Sequence, residues 1–134
     1  MTLTYTQNTR KSGMTLIELT VVILVLLSLI SILFVGARAW KKGSDRAGCI
    51  MNIRNVQQGV RSFQNINGHN AGDTVPGARA EIIGPGKFVE STPICPGSGS
   101  YAYRDDDLPQ VGNLYMECSL SSSDKHIPSS FTDW

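Results

Sequence analysis

The sequence predicts an α+β protein, a long N-terminal helix packed against a small antiparallel β-sheet head, and three observations predict it. An uninterrupted apolar run fills residues 19–37, an amphipathic stretch of helical periodicity follows, and after Gly68 the composition turns to Gly, Pro, Ser and Asp with short strand-like pieces between. The chain has 134 residues, 41% of them hydrophobic. Much of that apolar content lies in the one run, so the remainder can bury a single small core.

The first element, residues 1–13, is polar, lacks any apolar run and ends in Arg10-Lys11-Ser12-Gly13. The second, residues 14–67, reads as one continuous helix. Its residues 19–37 carry no charge, and as a helix rising ~1.5 Å per residue they approach the ~30 Å of a bilayer core. This part can span a membrane. Glu18 stands at its edge, where a carboxylate drawn to the bilayer centre without a partner costs ~2.5 kcal/mol or more. It needs a cation or a route to the lipid headgroups.

Beyond the anchor, residues 38–67 form a stem. Cys49, Ile53, Val56, Val60 and Phe63 recur at alternating spacings of four and three, while Arg54, Gln57, Gln58, Arg61 and Asn65 lie elsewhere around the helix. Asn67-Gly68 supplies a stop that tolerates the left-handed conformation, giving a helix ~80 Å long from Met14. In the third element, residues 68–134, strand-like pieces occur at 82–83, 88–89, 100–104 and 114–118. The last two read as a hairpin with a long polar loop, in a sheet that packs on the stem seam and buries Val56, Val60 and Phe63.

The formal net charge of +1 hides a split, since Arg10 and Lys11 are two of the twelve basic residues and precede all eleven acidic ones. The stem is basic and the head acidic. That asymmetry can orient copies of the chain or attract anionic lipid, and equally describes a solvated stem face. An acidic head argues against nucleic-acid binding, which needs a basic stripe with aromatics.

Three cysteines in a short chain point to an oxidising compartment, with one disulfide and one thiol left over, provided the chain crosses a membrane. Together with His69 and His126 they supply zinc-type ligands, but no pair shows the close Cys-x-x-Cys spacing of structural zinc sites, and both histidines read as surface loop residues. Cys49, on the seam, reads as a buried inert thiol. Asp105, Asp106 and Asp107, with Asp124, are weak candidates for calcium, without the EF-hand pattern; a solvated acidic turn is the simpler reading. No nucleophile stands with a nearby base, and no Gly-rich phosphate loop is present. The expectation is a protein that is not an enzyme and carries no cofactor.

The run Gly13-Met14-Thr15-Leu16-Ile17-Glu18-Leu19, preceded by Arg10-Lys11 and followed by the apolar run, resembles the leader junction of type IV prepilins and pseudopilins. The resemblance implies cleavage after Gly13 by a prepilin peptidase on the cytoplasmic side, N-methylation of the new terminus Met14, and a Glu18 that pairs with the α-amino group of Met14 in a neighbouring subunit. It implies a single-pass inner-membrane precursor with the head outside the cytoplasm, and partners comprising other copies or pilin-like subunits, the peptidase and an inner-membrane assembly platform. Cys95-Pro96, Tyr101, Tyr103 and Cys118-Ser119 resemble the disulfide-bounded C-terminal region of some pilin-like proteins, which implies a Cys95–Cys118 bond contributing ~3 kcal/mol by loop entropy. The acidic loop resembles the calcium loops of major pseudopilins.

Most of that family has a proline inside the apolar run, and this chain has none. Gly36 and Gly43 are its weak points. The function implied is that of a structural subunit of a type IV pilus-like filament, or alternatively a pseudopilin of a type II secretion system. Two readings outside the family remain. Ala37-Arg38-Ala39 matches a secretory cleavage site that would release a chain starting at Trp40. Arg38, Lys41, Lys42 and Arg46 outnumber Arg10 and Lys11, which by the positive-inside rule favours an uncleaved anchor with a cytoplasmic head. Either would make the head a binding domain that never polymerises.

Overall fold

The computed structural model describes residues 13–134; Arg10, Lys11 and the rest of the leader before Gly13 lie outside the described residues. The chain is α+β, with a long helix α1 (Leu16–Asn67), a short helix α2 (Ala78–Ile82) and strands β1 (Tyr101–Tyr103) and β2 (Met116–Cys118). Two compact units are distinguished, Met1–Arg38 and Ala39–Trp134, and α1 supplies residues to both.

In the first unit α1 opens with a capping box. The Glu18 main-chain N–H donates to Thr15 Oγ1 at 3.3 Å, and Glu18 Oε2 accepts the Thr15 N–H at 2.9 Å, so two donors that every helix start leaves open are satisfied reciprocally. The apolar stretch that follows is long enough to cross a membrane and none of its residues is buried. The three hydroxyls among them are closed on the helix itself: Thr20 donates to the Ile17 carbonyl, Ser28 to Val25 and Ser31 to Leu27, at 2.8 to 2.9 Å. No side-chain donor of that stretch is left to face hydrocarbon unpaired.

In the second unit the helical seam is buried as its spacing predicts, with Cys49, Ile53, Val56, Val60 and Phe63 all in the core. The helix stops where Gly68 turns to φ 74° and the His69 N–H reaches back to the Gln64 carbonyl at 3.0 Å, a Schellman closure. One position differs from expectation. Gln57 is buried, and its side-chain amide donates to the Asn113 carbonyl at 3.1 Å and accepts the Tyr115 N–H at 2.9 Å. The helix therefore meets the sheet through a side chain that copies a strand's hydrogen bonding.

β1 and β2 pair antiparallel, with Tyr101 opposite Cys118 and Tyr103 opposite Met116, so the expected hairpin forms with shorter strands than 100–104 and 114–118. The pieces at 82–83 and 88–89 are not strands. Ile82 ends α2, and Ile83 and Val89 share a single parallel bridge, because the glycine turn between them leaves too little chain for a ladder. Gly59 admits this segment against α1: a Cβ there would lie 2.7 Å from Val89 Cγ2.

The hairpin loop is also less solvated than its composition suggests. The Leu108 N–H donates to the Asp73 carbonyl and the Leu108 carbonyl accepts the Gly72 N–H, both at 2.9 Å, while the Leu108 side chain joins the core. Arg61 closes the far side, donating through Nη1 to the Pro109 carbonyl at 2.8 Å and through Nη2 to the main-chain oxygen of Trp134 at 2.7 Å.

Candidate functional site

Two groups of residues carry chemistry, one in each unit. In the first, Gly13 and Met14 are exposed and precede α1, and Glu18 lies in its first turn. A cut after Gly13 would leave the cap intact, since the box uses only Thr15 and Glu18. The cap occupies Oε2 of the carboxylate.

In the second unit four side chains from four separate segments converge. Cys49 comes from the helical seam, Cys95 from a Pro-Gly-Ser-Gly turn, Cys118 from the end of β2 and His126 from the segment after it. Their ligand atoms all lie within 4.8 Å of one another. Cys118 Sγ is 3.7 Å from Cys95 Sγ, and His126 Nδ1 is 3.4 Å from Cys95 Sγ and 4.0 Å from Cys118 Sγ. Relative exposures are 0% for Cys49 and 3% for each of the other three, so the cluster is sealed from solvent.

The walls of the cluster are main chain and hydrogen-bond donors. A Cβ on Gly97 would lie 2.7 Å from His126 Cε1, and one on Gly99 2.8 Å from Cys118 Sγ; only glycine lets the turn close over these atoms. The Tyr101 hydroxyl donates to Cys49 Sγ at 3.3 Å and itself accepts from Asn52 Nδ2 at 3.2 Å. Burial pushes the Cys49 thiol up to about 12. Burial also pushes the Cys95 thiol upward, but the main-chain N–H groups of Gly99 and Gly97, with His126 and Cys118, outweigh it and bring Cys95 down to about 7.

Several expectations change here. His126 is a core residue and not a surface one, because its ring fills the space left open at Gly97. His69 is partly covered and stacks on Phe63 with ring centroids 5.4 Å apart. Cys49 is no isolated seam thiol but one wall of the cluster. Cys95 and Cys118, the expected disulfide pair, are brought together with their sulfurs 3.7 Å apart.

The acidic residues do not converge. Asp105 Oδ1 pairs with Arg79 Nη1 at 3.0 Å, Asp106 Oδ1 accepts the Gly77 N–H at 2.9 Å, and Asp107 Oδ1 accepts from Thr74 Oγ1 at 2.8 Å. Asp124 Oδ2 accepts from its neighbour Ser123 at 3.4 Å. Among the described residues no three carboxylates gather as ligands for an ion, because each carboxylate of the loop is turned toward a donor of its own.

The sequence alone misses the cluster because its members are far apart: 31 positions separate Cys95 from His126, and 8 separate Cys118 from His126. The one local signal is Cys95-Pro96-Gly97-Ser98-Gly99, a cysteine followed by glycines at the positions where a Cβ would collide with His126 and Cys118. No known protein family, curated protein or solved structure matches this chain.

Proposed function

We propose that this chain is a structural subunit of a type IV pilus-like filament, cut after Gly13 and assembled through α1. The observation that carries the reading is Glu18: the one acidic residue of the first turn stands at the head of a helix whose apolar residues 19–37 are all exposed, four positions after Met14. Such a surface is not stable in water and must be covered by lipid, by other copies of the helix, or by each in turn.

The mechanism is assembly and involves no catalysed reaction. In the membrane the apolar segment anchors the precursor. After cleavage the new α-amino group of Met14 is a cation at the membrane edge, and in a neighbouring copy it meets the carboxylate oxygen of Glu18 that the cap leaves open. Each charge then finds its only partner inside an apolar filament core, where leaving either alone costs several kcal/mol. That requirement fixes the axial register of one copy against the next. The partners are other copies or related subunits, the peptidase that removes the leader, and an assembly platform in the inner membrane; the second unit lies outside the cytoplasm.

The test is the N-terminal residue and mass of the mature protein from cells that express the cognate peptidase. A start at Met14, with or without an added methyl, is expected. A start at Trp40 or an intact leader overturns the proposal.

A further inference from the structure

We propose that Cys49, Cys95, Cys118 and His126 hold one zinc ion in a closed tetrahedral site that staples the second unit. The inference stands on the cluster alone and does not depend on filament assembly.

Three of the six edges between ligand atoms have the lengths of a coordination shell, and those to Cys49 Sγ lie within 4.8 Å. With Zn–S near 2.3 Å and Zn–N near 2.0 to 2.1 Å, the edges of a tetrahedron are about 3.7 Å between sulfurs and about 3.6 Å between sulfur and nitrogen. The observed edges are 3.7 Å from Cys95 to Cys118, and 3.4 and 4.0 Å from His126 Nδ1 to those two sulfurs. A disulfide would use two of the four groups and strand the other two, Cys49 and His126, in the core. One ion uses all four.

The donor set selects the metal. Three thiolates and one imidazole favour a soft-tolerant ion such as zinc over magnesium, calcium or manganese, which prefer oxygen. Because all four side chains are buried, no coordination position is open to water or substrate, the mark of a structural site rather than a catalytic one.

Three thiolates around a divalent ion leave one negative charge in the core, and the Tyr101 hydroxyl, itself oriented by Asn52, donates toward it at Cys49. Such outer groups orient ligands and hold the charge. On binding, the thiols release their protons to solvent and no electron is transferred. The ion would tie together α1, the 95–99 turn, β2 and the 126 segment.

The experiment is metal analysis of the full chain, purified in detergent under reducing conditions, followed by removal of metal with a chelator and titration with cobalt(II). One zinc per chain is expected, and the cobalt form should show thiolate-to-metal charge transfer and the intense visible bands of tetrahedral coordination, saturating at one equivalent. Cys49→Ser and His126→Ala should each lose the stoichiometric ion, His126→Cys should keep it with a stronger charge-transfer band, and Tyr101→Phe should weaken zinc binding about 10- to 100-fold. If a serine variant fails to fold, the unaltered chain decides the matter through its zinc content and cobalt spectrum. Substoichiometric zinc, cobalt bands of six-coordinate oxygen ligation, or binding undiminished by Cys49→Ser and His126→Ala overturns the site.

Discussion

Glu18 caps its helix and, in the proposed filament, pairs with the terminus of a neighbouring copy, and one substitution separates the two. Its Oε2 accepts the Thr15 N–H at 2.9 Å as half of a capping box, and a glutamine at 18 offers a carbonyl oxygen at the same reach, so Glu18→Gln keeps the cap while removing the charge. Loss of the cap, as in Glu18→Ala, costs the helix start about 1 kcal/mol. Loss of the charge costs the monomer little, but in an assembled core it leaves the α-amino group of a neighbouring Met14 without its partner, an effect of about 3 to 5 kcal/mol per subunit contact. At 1.4 kcal/mol per factor of ten, that is a weakening of at least about 100-fold. The assay expresses the full chain with its peptidase and assembly machinery, then compares membrane-inserted protein, the mass of the processed terminus and the sheared filament fraction. Glu18→Gln is expected to insert and to yield almost no filament, whereas Thr15→Ala, which removes only the hydroxyl half of the cap, retains filaments. Normal filament yield from Glu18→Gln would refute the pairing and leave Glu18 as a helix cap.

Three further outcomes are expected from thermal unfolding of the detergent-solubilised chain followed by circular dichroism. Gln57→Leu removes the partner of the buried Tyr115 N–H and of the Asn113 carbonyl and should destabilise the second unit by about 1 to 3 kcal/mol, while Gln58→Leu on the exposed side should have little effect. Gly59→Ala places a methyl 2.7 Å from Val89 Cγ2; the overpacking of about 1 to 3 kcal/mol outweighs the gain in helix propensity of about 1 kcal/mol, and adding Val89→Ala should restore most of the loss. Burial pushes the phenols of Tyr101, Tyr103 and Tyr115 upward, Tyr115 to about 12. The native state keeps these groups protonated where the unfolded chain, with tyrosines near 10, gives up the proton, so stability is fully present below pH about 10 and declines as pH rises toward 12. Tyr115→Phe should soften that decline, and an unfolding temperature flat from neutral pH to 12 would contradict it.

What could be read in advance divides along the range of the forces involved. The helix was legible because a seam of spacing four and three is a local signature, and Cys49, Ile53, Val56, Val60 and Phe63 need only one partner surface to bury them. Its stop at Gly68 was legible because left-handed backbone is a property of the residue. The strands were poorly legible: three-residue β1 and β2 are too short for an alternating pattern to show, and Gln57 looks polar in any pattern until the main-chain groups it serves are in place. Leu108 was hidden in an acidic loop for the same reason. The Cys49, Cys95, Cys118 and His126 cluster was the least legible feature, since its four members share no local motif and the Cys95 turn announces only one of them.

The amide of Gln57 has a consequence beyond the fold of a single copy. Sheets with open main-chain groups recruit strands from their neighbours, and the risk grows with local concentration. Here the Asn113 carbonyl and the Tyr115 N–H, at the entrance to β2, are already occupied by a side chain held on a helix. Many copies of this unit can therefore be crowded side by side without zipping together through that part of the sheet, which leaves the choice of neighbour to whichever surfaces are meant to make it.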